Sequence, residues 1–149
     1  MVDPIRLGQL SRVATLRRDR SEIALAEAST VRTAREQALV AAEAAAKQAA
    51  AQARKADRMF AAEPASDQAM IWRRVQTDRA AQARAVVSTS TSARDAAIEA
   101  QDAARTGLMR AGARLDRTSD LHAKALVAYG RLREDREAED RPASTRGVA

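Results

Sequence analysis

Glu63-Pro64-Ala65-Ser66-Asp67 interrupts a chain that otherwise reads as helix on both sides of it. Pro64 has no backbone N–H and drives Glu63 out of the α region, so a helix arriving from the N-terminal side stops here. Ser66 or Asp67 can cap a new helix by accepting from a free N–H of its first turn. The other two prolines, Pro4 and Pro142, stand near the chain ends. At the first of them, Asp3-Pro4 is a helix start, with Asp as cap and Pro at the first helical position. The pattern predicts a helix over 4–61, a turn at 62–66, a helix over 67–138 and a disordered tail over 139–149. The expected fold class is all-α, a long two-helix antiparallel coiled-coil hairpin forming a single domain.

Composition explains why the two helices need each other and why their core is thin. Of 149 residues 46% are hydrophobic, but 38 are Ala, more than half of that total. Phe60, Trp72 and Tyr129 are the only aromatic residues. A globular centre of Leu, Ile, Val and Phe cannot be built from this inventory, whereas Ala, Arg, Glu and Gln favour helix nearly everywhere. With no Cys and a single His122, thiol chemistry and a His-cluster metal site are excluded. Carboxylates are spread along both helices near arginines, as on solvated helix faces. No phosphate-binding glycine loop or nucleophile motif is present. The expectation is a protein that is not an enzyme, takes no cofactor and has no small-molecule substrate. Met1-Val2-Asp3-Pro4-Ile5-Arg6 lacks the apolar run of a signal peptide, and no stretch approaches the roughly 18 apolar residues of a membrane span, so the expected location is cytoplasmic.

The helices carry heptad seams. In the first, spacings of three and four connect Leu7, Leu10, Ala14, Arg17, Ser21, Ala24, Ala28, Val31, Arg35, Ala38, Ala42, Ala45, Ala49, Gln52, Ala56 and Met59, with Ile5, Leu16 and Ile23 widening the apolar face. In the second, one row is Gln101, Leu108, Leu115, His122 and Tyr129, and the other is Ala97, Ala104, Ala111, Thr118, Ala125 and Leu132. The same phase continues upstream through Arg94, Ser90, Val87, Ala83 and Ala80. Ser88–Ser92 is read as a polar patch inside a continuous helix rather than a hinge, and Gly107 and Gly112 as points of close packing. Folding at Pro64-Ala65 opposes residues whose numbers sum to about 129, placing Leu10 near Ser119 and carrying Tyr129 and Leu132 past the start of the first helix.

Charge is uneven. The net charge is +6. Arg6, Arg12, Arg17, Arg18 and Arg20 outnumber Asp3 and Asp19, and Arg110, Arg114, Arg117, Lys124, Arg131 and Arg133 outnumber Asp116 and Asp120. A hairpin lays these two segments side by side, giving a basic terminal end whose candidate partner contacts are Arg12, Arg17, Arg18, Arg110, Arg114, Arg117, Arg131 and Arg133, with Tyr129 and Leu132 as apolar contacts. The turn end collects Phe60, Met70, Ile71, Trp72 and Val75. Three consecutive large residues cannot all face one partner helix, so part of this cluster points outward. Trp is a common hot-spot residue, and Met70, Ile71, Trp72 and Val75 are the candidate contacts there.

These features resemble the FliJ/YscO family of bacterial flagellar and virulence type III export. Met70-Ile71-Trp72-Arg73-Arg74-Val75 lies where that family tends to have an apolar, aromatic segment opening its second helix. The resemblance implies a monomeric coiled-coil stalk within a hexameric export ATPase, in contact with the export-gate membrane protein or export chaperones, and peripheral to a membrane complex. The alternatives are a phasin-like lipid-surface protein, which calls for a wider apolar face, and a nucleic-acid-binding coiled coil, which calls for an uninterrupted basic face. Narrow Ala seams and interspersed Asp and Glu argue against both, so nucleic acid is not an expected partner.

Overall fold

A computed structural model describes residues 3–139. It is an all-α hairpin of two helices packed on each other, α1 over Pro4–Ala62 and α2 over Asp67–Glu139, with no strand among the described residues. The helices are 59 and 73 residues long. α1 runs one residue beyond the expected boundary, leaving 63–66 as the turn. Glu139 ends α2 instead of opening a tail, and 140–149 lie outside the described residues.

The caps follow local chemistry. Asp3 Oδ1 accepts from the Ile5 N–H at 2.9 Å, and the Leu7 N–H donates to the Asp3 carbonyl at 3.2 Å. At the turn the Ser66 N–H donates to the Glu63 carbonyl at 3.1 Å. Ser66, rather than Asp67, is the cap: its Oγ accepts from the Ala69 N–H at 3.3 Å. Asp67 takes the first helical turn, where its charge suits the helix dipole.

The chain divides into two compact units. One combines α1 up to Ala24 with α2 from Arg105 onward, and the other spans Leu25–Ala104 and contains the turn. In the turn-containing unit, Leu39, Ala42, Ala56, Gln76, Ala80 and Ala97 are buried. Leu25, Arg32, Ala46, Ala53 and Phe60 are half-buried at spacings of seven with Leu39 among them. This row replaces the expected Val31, Ala38, Ala45, Gln52 and Met59, all of which are exposed. The seam thus runs one residue later in one of its two rows, because that phase turns Leu25, Leu39 and Phe60 inward. Arg32 completes the seam with polar contacts, donating from Nε to Glu36 at 2.8 Å and from Nη1 to Gln101 Oε1 across the hairpin at 2.9 Å. Asp57 and Arg73 pair at 2.8 Å, and the Arg73 guanidinium lies 4.9 Å from the Phe60 ring centroid. The Ser88–Ser92 run is continuous helix. Thr89, Thr91 and Ser92 hydroxyls donate to the carbonyls four residues back.

In the terminal unit, Leu7 and Ala14 are buried. Ser11 and Arg18 join the inward face in place of Leu10 and Arg17, again one residue later. The α2 seam is as expected from Leu108 to Ala125, half-buried at each position. Ser11 and Ser119 hydroxyls meet at 3.3 Å, within one residue of the expected pairing. Tyr129 does not project past α1. It lines a groove with Pro4 and Leu7, consistent with helical side chains leaning toward their own N-terminus, here back over the start of α1. Leu132 and the residues from 131 to 139 are exposed. Ile5, Leu16 and Ile23 are exposed too, so the expected second stripe does not widen the core.

Two measurements check this register. Because the chain has no Cys, Ser11→Cys with Ser119→Cys gives a clean cross-link. Oxidation yields a fast-migrating monomer if the hairpin is intramolecular, a covalent dimer if the helices pair in trans, and neither if the register is wrong. Leu39 is 8% exposed and Leu10 55%. Leu39→Ala is expected to cost about 2–3 kcal/mol in urea unfolding, and Leu10→Ala within about 0.5 kcal/mol. Equal costs would restore the alternative seam.

Candidate docking surfaces

The terminal unit carries a groove of about 570 Å3 along Leu10–Ser21 of α1 and Gly107–Thr118 of α2. Its spacing explains it. Ala14, Ser21, Ala111 and Thr118 face the seam and are small, so they form a shallow floor. The flanking positions form two walls, Leu10, Val13, Arg17 and Arg20 on one side and Gly107, Arg110, Arg114 and Arg117 on the other. Five arginines and no carboxylate line the groove. None of the five guanidinium groups is in an ion pair among the described residues. The six ion pairs in the described chain engage Arg18, Arg32, Arg73, Arg94, Lys124 and Arg133 instead.

The expected basic contacts therefore separate into groups. Arg17, Arg110, Arg114 and Arg117 come together in one groove. Arg12 and Tyr129 line another, with Ile5, Gly8, His122 and Leu126. Arg18 is on the seam and pairs with Glu22, and Arg133 pairs with Glu137 at 2.7 Å. Arg131 and Leu132 lie in the exposed last stretch of α2. Arg20, Leu10, Val13 and Gly107 were not singled out as contacts by charge counting. Their signal is positional: they occupy the places next to the seam on the same side as the other arginines.

In the turn-containing unit, Met59, Ala69, Ile71, Trp72 and Val75 line an open groove together with Glu63, Ser66, Gln68, Arg79 and the buried Gln76. Met70 and Ile71 are exposed, Val75 is at 39% and Trp72 is half-buried. The four expected residues thus divide. Ile71, Trp72 and Val75 share the groove, and Met70 is an exposed neighbour. Phe60 is not part of it, being half-buried in the seam under Arg73.

His122 is a half-buried seam residue packed toward Gly8, where an added Cβ would sit 3.3 Å from its Nε2. Gly8 is the close-packed glycine. At Gly107 and Gly112 an added Cβ meets nothing within 4 Å, which corrects the expectation that they mark tight packing. Among the described residues no group of three or more His, Cys, Asp or Glu is placed to hold a metal ion, and no helix is long and apolar enough to cross a membrane.

No protein-family model matches the chain, and no curated protein matches it.

The glycines give a direct check on this geometry. Gly107→Ala should raise stability by about 0.5–1 kcal/mol, the helix-propensity gain alone. Gly8→Ala should gain less or lose stability, because His122 must shift. Thermal melts of the two variants in which Gly8→Ala is the more stabilising would contradict the packing of His122 on Gly8.

Proposed function

We propose that this chain is a non-enzymatic helical-hairpin adaptor of a bacterial type III export apparatus, flagellar or virulence. It works as a monomer at the cytoplasmic side of a membrane export complex. The observation that carries the proposal is that one hairpin holds two docking surfaces of opposite character: an arginine groove with no internal counter-charge, and an apolar groove built around Trp72. The resemblance to the FliJ/YscO family supplies the partners. The arginine surface meets an acidic face of the hexameric export ATPase. Electrostatic attraction there speeds association and tolerates contact with several subunits in turn. The Trp72 groove takes an apolar element of the export gate or of a chaperone, an interaction that salt leaves largely unchanged.

Charge reversal at Arg114 and Arg117 should raise the concentration needed for half-maximal ATPase stimulation by roughly tenfold at low salt, with less effect at high salt. The gate or chaperone contact should remain. Trp72→Ala with Val75→Ala should have the complementary effect. The two-partner assignment fails if both variants impair the same contact, or if neither alters binding to any export component.

A further inference from the structure

We propose that the arginine groove is a receptor for one acidic amphipathic helix, which lies along it as a third helix. This deepens the adaptor reading by stating what the partner must present, and it rests on treating the terminal unit as a docking surface. The argument begins with self-repulsion. Arginines on both walls face a shared trough with no carboxylate lining it. Like charges gathered this way cost the isolated hairpin stability, and an anionic occupant relieves that cost.

The apolar part of the groove narrows the choice of anion. Leu10 and Val13, 55% and 44% exposed, stand in the α1 wall beside Arg17 and Arg20, above the small floor residues Ala14, Ser21, Ala111 and Thr118. Double-stranded nucleic acid would engage the arginines through phosphates and gain nothing from the apolar Leu10 and Val13. A bilayer needs a broad face of large apolar residues, whereas the groove has only Leu10 and Val13, with arginines beside and opposite them. A second copy of the chain brings more positive charge, since its own net charge is +6. A helix with apolar residues at spacings of three and four, flanked by Asp and Glu, satisfies floor and walls together, in the manner of helix-in-groove recognition. Leu10 to Ser21 spans about 16 Å of helix, so about three turns of the partner are engaged. Gly107 leaves open space in one wall, which lets an apolar side chain of the occupant approach the backbone of α2.

The probe is a fluorescent synthetic peptide of about 16 residues with Leu at heptad a and d positions and Glu flanking them. It is titrated against the full chain by anisotropy. A permuted peptide of identical composition, with the Leu spacing broken, is the main control. The intact pattern should bind roughly tenfold tighter than the permuted one, and R114E/R117E should remove most of that binding. Gly107→Leu changes no charge and fills the trough. It should weaken capture by roughly tenfold while raising the melting temperature, since Leu is a better helix former than Gly. Equal binding of both peptides, or capture unaffected by Gly107→Leu, would reduce the groove to nonspecific charge and overturn the proposal. So would tighter binding of phosphatidylglycerol vesicles or duplex DNA than of the patterned peptide. No export component enters this experiment, so its failure leaves the adaptor reading standing, and failure of the export test leaves this result intact.

Discussion

Alanine at the helix–helix seam is the constraint on which the rest of this structure depends. Among the described residues the buried positions are Leu7, Leu39, Gln76 and five alanines, and no large side chain is fully enclosed. Small side chains let two helices approach closely, but each removes little apolar surface from water, at roughly 25 cal/mol per Å2. Stability must therefore accumulate over many weak layers. Register cannot come from Ala alone, since one Ala fits another's place. It is set by the few residues that do not interchange: Leu39 and Phe60 turned inward, Arg32 reaching Gln101, Ser11 meeting Ser119, and His122 resting on Gly8.

The same thin seam leaves large residues without a place inside. Ile5, Leu10, Met70, Ile71 and Met109 are more than half exposed. Scattered singly, such residues are ordinary. Here Leu10 and Ile71 fall in grooves, Leu10 beside a seam floor of the small residues Ala14, Ser21, Ala111 and Thr118 that leaves the flanking side chains standing as walls. The two candidate docking surfaces differ in what lines them: arginines over a floor of small residues in the terminal unit, and Met59, Ile71, Trp72 and Val75 in the turn-containing one.

The turn and both helix starts were legible in the sequence because capping and proline effects act over a few residues. The α2 seam was legible because Leu108 and Leu115 mark its row. The second row of α1 was not. Between Ala41 and Ala53 nearly every candidate row is filled with Ala, so hydrophobic periodicity there is degenerate, and the choice between phases falls to distant residues such as Leu25 and Phe60. The basic surplus was legible as a count, but which arginines share a groove depends on their places relative to the seam. That is why Arg20 was missed and why Arg18, internally paired, was included.

The single turn at Pro64 also imposes an order of assembly. The contact between Asp57 and Arg73 is separated by 16 positions in sequence, that of Arg32 with Gln101 by 69, and that of Ser11 with Ser119 by 108. Closing the longest of these loops directly costs about 2 kcal/mol more chain entropy than closing the shortest. The Asp57–Arg73 clasp, with Phe60 under it, is thus the cheapest nucleus. From there pairing zips outward, each step shortening the loop for the next. Unzipping runs in reverse, and the layers bearing the arginine groove close late and open early, preceded in opening only by those of His122 on Gly8 and Tyr129 by Pro4 and Leu7. An occupant of that groove would therefore act on late-closing layers and slow their opening without contacting the nucleus.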